Sequence, residues 1–103
     1  MEKNHYLSKI INFIHLARKA GKVRFGFSSV KKNFSQADII ILEEDLSENN
    51  KKKFLDKKTI IIGNKKLFGK EFDRYELGII SISESNIAKK IFELYNKLEE
   101  FWD

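Results

Sequence analysis

The chain predicts an α/β sandwich with a largely parallel central sheet, and three observations carry that expectation. Ile39-Ile40-Ile41-Leu42, Thr59-Ile60-Ile61-Ile62 and Leu77 to Ser83 are β-branched apolar runs with almost no polar interruption, as strands covered on both faces are. Between and around them, apolar residues recur at helical spacing, so helices alternate with buried strands. The 103 residues, 42% hydrophobic and 34% charged, suffice for one core but not two, so residues 1–103 are expected to form a single domain.

Leu7, Ile10, Ile11, Ile14 and Ala17 follow the i, i+3, i+4, i+7 pattern of a first amphipathic helix. Gly21 suits its C-terminal stop, and Arg18, Lys19 and Lys22 suit the negative end of its dipole. Lys22 to Phe25 alternates as a short strand would. Phe27, Val30 and Phe34 share one face of a short helix, leaving Ser28, Lys31 and Lys32 toward solvent. After the first buried run, Ser47 is a good N-cap for a third helix with Glu48 in its first turn and Lys51, Lys52 and Lys53 farther on. The second run stops at Gly63-Asn64, and a short helix through Leu67 and Phe68 follows. Gly78 lies near the start of the third run. Ser83 or Ser85 is expected to cap the last helix, whose stripe is Ile87, Ile91, Leu94 and Leu98, widened by Ala88, Phe92 and Tyr95. Phe101-Trp102 is expected to fold onto the core.

Composition excludes several classes. The absence of cysteine removes disulfides and thiolate metal sites, and His5 and His15, ten apart on one helix, do not make a metal pair. No window approaches the roughly 18 apolar residues a membrane span needs, and no signal-peptide pattern is present, so no membrane partner and a cytoplasmic location are expected. Ser28, Ser29, Ser81 and Ser83 have no nearby histidine, and no phosphate-loop or dinucleotide fingerprint occurs, so no catalytic residue, cofactor or small-molecule substrate is assigned. Charge is distributed unevenly. Residues 1–36 hold eight Lys/Arg against one acid, a net +7, while residues 37–103 hold twelve against fourteen, a net −2. A basic excess in the first third points to a polyanionic partner, although a pI near 9.4 also suits a generally lysine-rich composition.

The segment Ala17 to Lys32 concentrates these signals. A basic extended piece with Lys22 and Arg24 meets Gly26, which opens a helix carrying Ser28, Ser29 and Lys32. A phosphate could sit on the first amides while the hydroxyls and Lys32 contact it; a plain helix start with solvated lysines is the other reading. Gly26, in a turn, is expected to tolerate valine at a cost of about 1 kcal/mol. Glu43-Glu44-Asp45 ends a strand, where α/β folds place ligands. Magnesium there would require a second acidic cluster; a solvated loop or contacts to base amino groups are the alternatives. Leu77-Gly78-Ile79 opens a strand, either as an ordinary entry or with exposed aliphatics packing on an unstacked base.

The order of these pieces resembles the ribosomal-protein superfamily of kink-turn RNA binders, the L-seven-Ae/L-thirty-e group, and within it the bacterial YlxQ-type members. The matching residues are Leu16 to Lys22, Gly26, Ile39 to Lys53, Asp56-Lys57, Leu67-Phe68-Gly69-Lys70 and the stretch ending Ala88-Lys89-Lys90. The resemblance implies a three-layer α/β/α sandwich with a four-stranded mixed sheet and non-catalytic binding of structured, kink-turn-like RNA, ribosomal RNA included. By the same resemblance Gly26 and Lys32 read sheared G·A pairs, Glu44 and Asp45 match the acidic strand end, and Leu77, Gly78 and Ile79 pack on an extruded nucleotide. The family's Asn-Glu pair falls on Ser28 and Ser29, a departure that two short hydroxyls do not compensate. A second departure, a shortening between Phe54 and Ile60, predicts a brief third helix.

The expected RNA-binding residues are therefore Lys22, Arg24, Gly26, Ser28, Ser29, Lys32, Glu44, Asp45, Leu77, Gly78 and Ile79 on a monomer. The competing readings are a protein-interaction module that kept the fold but lost kink-turn recognition, and a small enzyme using the acidic strand end.

Overall fold

The first helix, α1 (Glu2–Lys19), ends where the sequence places a stop. The Gly21 amide donates to Arg18 O (3.0 Å) and the Lys22 amide to Ala17 O (2.9 Å), and this pair of bonds satisfies carbonyls the helix would otherwise leave open. The chain reverses into strand β1 (Val23–Phe25), then α2 (Phe27–Lys32) and a single 3-10 turn (Phe34–Gln36). Strand β2 (Ile39–Leu42), α3 (Glu48–Phe54), β3 (Thr59–Ile61), α4 (Lys65–Phe72), β4 (Ile79–Ile82) and α5 (Ser85–Glu99) complete the order. This computed structural model describes residues 2–56, 58–73 and 77–100; the expectations for Lys57 and Phe101-Trp102 lie outside them.

Four strands form one mixed sheet in the order β1-β4-β2-β3. β2 and β3 run parallel, with Ile41 opposite Ile60, whereas β4 is antiparallel to both β1 and β2, pairing Ile80 with Phe25 and with Ile41. The mixed sheet of the family resemblance is therefore present, but the largely parallel sheet expected from the apolar runs is not. Such runs report coverage on both faces, not strand direction, and here helices cover both faces of a sheet in which two of three pairings are antiparallel.

Alternation along the strands divides the core. Ile39, Ile41, Ile60, Ile80 and Ile82 pack with apolar residues of α1, α4 and α5, among them Ile10, Ile14, Phe68 and Ile91. Ile40, Leu42 and Ile79 pack on the opposite face with Val30, Ala37 and Phe54, flanked by Phe27 and Phe34. The result is three layers: α1, α4 and α5; the sheet; then α2, the 3-10 turn and α3. β2 and β4 are buried throughout, while β3, at the edge, leaves Thr59 and Ile61 half-buried, contrary to the expected full burial of that strand.

Two local expectations need correction. The N-cap of α5 is Glu84, whose Oε2 accepts from the Ile87 amide at 2.6 Å. Ser83 is drawn toward β1 instead, with its amide (2.9 Å) and hydroxyl (3.4 Å) both donating to Lys22 O, and Ser85 lies inside the helix. The third helix does open on Ser47, whose Oγ accepts from the Asn50 amide (3.2 Å), and its seven residues make it brief.

Candidate nucleic-acid interface

β1 delivers the basic segment to the α2 side of the sheet. Val23 and Phe25 join the packing on the α1 side, so Arg24 between them turns to the opposite face and is exposed. Gly26 then extends the ladder, its amide donating to Ile79 O (3.0 Å), while its own carbonyl accepts from the Val30 amide and starts α2. This double duty requires φ 88° and ψ 160°, a region open essentially to glycine alone. A side chain at Gly26 would meet no atom within 4 Å. The constraint is therefore the backbone, not space, and valine is strained there rather than tolerated as expected.

From α2, Ser28, Lys31 and Lys32 are exposed and Ser29 is half-buried, with its carbonyl accepting from Asn33 Nδ2 at 2.8 Å. Lys22 does not join them. It lies beside Ser83 at the far end of β1, roughly 13 Å from Gly26 at about 3.3 Å of rise per residue.

At the opposite wall the three acids diverge. Glu44 is exposed, its amide donating to Gly63 O (2.8 Å) and its carbonyl accepting from Lys51 Nζ (2.7 Å). Asp45 accepts from the Lys65 amide with both carboxylate oxygens (3.3 and 3.2 Å), fastening this loop to the start of α4. Glu43 turns inward and is only 2% exposed. Burial, and then the neighbouring Asp45, push its carboxyl above the ordinary value of 4.5, while a backbone hydrogen bond at Gly78 and the Lys65 charge offset part of that. Among the described residues, Oε2 of Glu43 is a buried polar atom without a hydrogen-bond partner. No group of three or more His, Asp or Glu side chains capable of holding a metal occurs among the described residues.

The entry to β4 closes this wall, but not with exposed aliphatics. Leu77 is 2% exposed and Ile79 fully buried. Gly78 has φ 73°, and a Cβ there would lie 2.8 Å from the Phe27 ring. The side chain that approaches Gly78 closely is Phe27, whose ring forms one wall of a cleft of about 300 Å3 with Glu43, Asp45, Leu46, Asn50, Lys65, Leu77 and Gly78.

That cleft is one end of a longer trough. Phe27 and Asn50 also line an adjoining hollow of about 280 Å3 with Ser28, Lys31, Lys53 and Phe54. Lys31, Lys53 and Phe54 continue into a groove of about 520 Å3 that ends at Phe34. Phe27 and Phe54 are 5.5 Å apart and Phe54 and Phe34 6.3 Å, so an aromatic floor runs beneath two lysines along the α2–α3 seam. Lys58 is not part of this rim. Its Nζ donates to Phe34 O (3.2 Å) and Ala37 O (2.9 Å), holding the 3-10 turn.

The structure thus brings Gly26, Ser28, Lys32, Asp45, Leu77 and Gly78 to one side of the molecule, leaves Lys22 at the other end of β1 and keeps Ile79 in the core. The residue pattern passed over Phe27, Lys31, Asn50, Lys53 and Lys65 and marked Glu43 only as one of three acids at a strand end. Spacing marked Phe27 and Phe34 only as one face of a short helix and gave Phe54 no role, and nothing local distinguished Glu43 from its two acidic neighbours.

No protein-family model matches the chain, and no curated protein does. Among solved structures, one of a protein with unknown function from Bacillus halodurans C is similar, with a TM-score of 0.75 and 25% sequence identity over 85% of this chain and 97% of that one.

Proposed function

We propose that the chain is a non-catalytic, cytoplasmic RNA-binding protein whose partner is a structured RNA with a single-stranded or kinked segment, as its sequence resemblance to the kink-turn binders implies. The observation that carries this reading is the trough. Lysines 31 and 53 rim an aromatic floor, and exposed Arg24 and Lys32 lie on the same side of the sheet. Cations track a phosphate backbone, while aromatic rings and apolar walls receive unstacked bases. Ser28 and Lys32, four apart on α2, share one exposed face beside it.

The test is binding of kink-turn RNA and of a plain duplex across a salt series. Lys32→Ala removes one phosphate neutralisation, so the slope of log K against log salt falls by roughly one unit with similar losses across RNA sequences. Ser28→Asn with Ser29→Glu restores the family pair and raises preference for kink-turn RNA over the duplex. Equal binding by all three proteins at near-physiological salt transfers the trough to the protein-interaction reading.

A further inference from the structure

The groove that ends the trough at Phe34 sets two aromatic rings between two lysines. Lys31, Phe34, Lys53 and Phe54 line its volume of about 520 Å3, with no acid among the described residues that line it. Both lysines are exposed, and the two rings stand 6.3 Å apart. Leu55, next along the chain from Phe54, keeps 55% of its surface exposed, so the end of α3 presents apolar surface that the fold itself leaves uncovered. The same chain carries the complementary order. Glu100-Phe101-Trp102-Asp103 sets two aromatic residues between two acids. Glu99 before them is already engaged by the Tyr95 phenol, while Glu100 is exposed. This segment follows α5, on the α1 side of the sheet, whereas the groove lies on the α2–α3 side. At the end of α5, Leu98 sits beside Ile62 and Gly63, just past β3. The groove lies toward the other end of β3, where Lys58 holds the turn that carries Phe34. Phe101 and Trp102 reach at most about 7 Å beyond Glu100, against about 8–10 Å for a single packed layer. The two rings can therefore reach the groove of another copy, but not that of their own.

We propose that Phe101 and Trp102 of one copy dock in the Lys31–Phe34–Phe54–Lys53 groove of a second copy, with Glu100 and Asp103 against the two lysines. Aromatic rings packed on aromatic rings supply the attraction. The matched order of charges fixes the register and excludes other segments. Few residues take part, so the contact is small, and contacts of that size are weak and reversible. Docking and RNA exclude one another in this groove; that consequence, unlike the docking itself, rests on the RNA reading above.

Trp102 is the one tryptophan of the chain, so its emission reports on the segment directly. Sedimentation and emission of the full chain are followed from micromolar to millimolar concentration. Wild type sediments faster as concentration rises, its emission moves to the blue in step, and added salt reverses both. Lys31→Glu with Lys53→Glu makes the groove repel the segment, and Glu100→Lys with Asp103→Lys makes the segment repel the groove. Each double variant alone associates at least roughly tenfold more weakly, and its emission stays red. An equimolar mixture of the two recovers the association and the blue shift, because groove and segment of opposite charge meet again; a folding defect would not recover on mixing. Blue emission of wild type that is independent of concentration overturns the proposal, since Trp102 then packs on its own core as expected from the sequence. Self-association unchanged in both double variants also overturns it, by placing the contact elsewhere, and so does a wild type that stays monomeric throughout. Structured RNA added to the associated protein returns the emission to the red. Failure of RNA to bind while the mixture still recovers removes the RNA reading and leaves the docking standing.

Discussion

Glu43 shows most clearly what a single buried residue costs. A buried carboxyl oxygen without a partner, as Oε2 of Glu43 is, is destabilising by about 1–3 kcal/mol, and here burial holds the proton of the group more tightly than in the unfolded chain. Its contribution to stability is therefore complete below about 4.5 and is lost as pH rises through the raised value, opposite to a carboxylate in an ion pair. Glu43→Gln, which carries no charge to bury, should melt higher than wild type at pH 7. About 1 kcal/mol corresponds to roughly 4–8 °C for a domain near this size, and the difference should shrink toward pH 4. Calorimetry at the two pH values decides it, and a variant that melts lower at pH 7 would assign Glu43 a purely structural bond. Gly26 makes the complementary case. Valine at φ 88° should cost about 1–3 kcal/mol from the backbone alone, so loss of binding in Gly26→Val must be corrected for stability before it says anything about RNA. Urea midpoints of the variant and wild type measure that cost.

At the scale of elements, the runs that announced strands were the most legible part of the chain. β2 begins and ends at Ile39 and Leu42 as expected, because four β-branched or branched apolar residues in a row have no solvent face to offer. Strand direction was not legible, since coverage on both faces leaves the same pattern whether neighbours run parallel or antiparallel. Helix caps were legible where one short polar side chain had no rival, as at Ser47, and not where Ser83 and Ser85 flanked a glutamate long enough to reach the Ile87 amide. Of the candidate interface, the basic β1–α2 segment could be read from residue order alone. The trough could not, because Phe27, Phe34 and Phe54 meet only when α2 and α3 are laid against the same sheet face. Ile41, at the centre of β2 and fully buried between β3 and β4, is the most demanding position of the framework. Ile41→Asp should cost several kcal/mol, a large fraction of a small domain's total stability. A cooperative melt of that variant near the wild-type temperature would contradict the packing of the central strand.

Across the whole molecule, the first third of the chain, net +7 against −2 for the remainder, supplies β1 and α2. α3 brings Lys53 across from the less basic part to complete the rim. On the opposite layer, α5 also exposes lysines, Lys89 and Lys97 among them, so net charge alone does not single out a face. The α2–α3 trough is the proposed RNA face, and the salt dependence of binding reports on it. Lys31→Ala with Lys53→Ala should lower the slope of log K against log salt by roughly two units, whereas Lys89→Ala with Lys97→Ala should leave it unchanged. Equal slopes for the two double variants, or a loss confined to the α5 pair, would contradict the assignment of the RNA face to the trough.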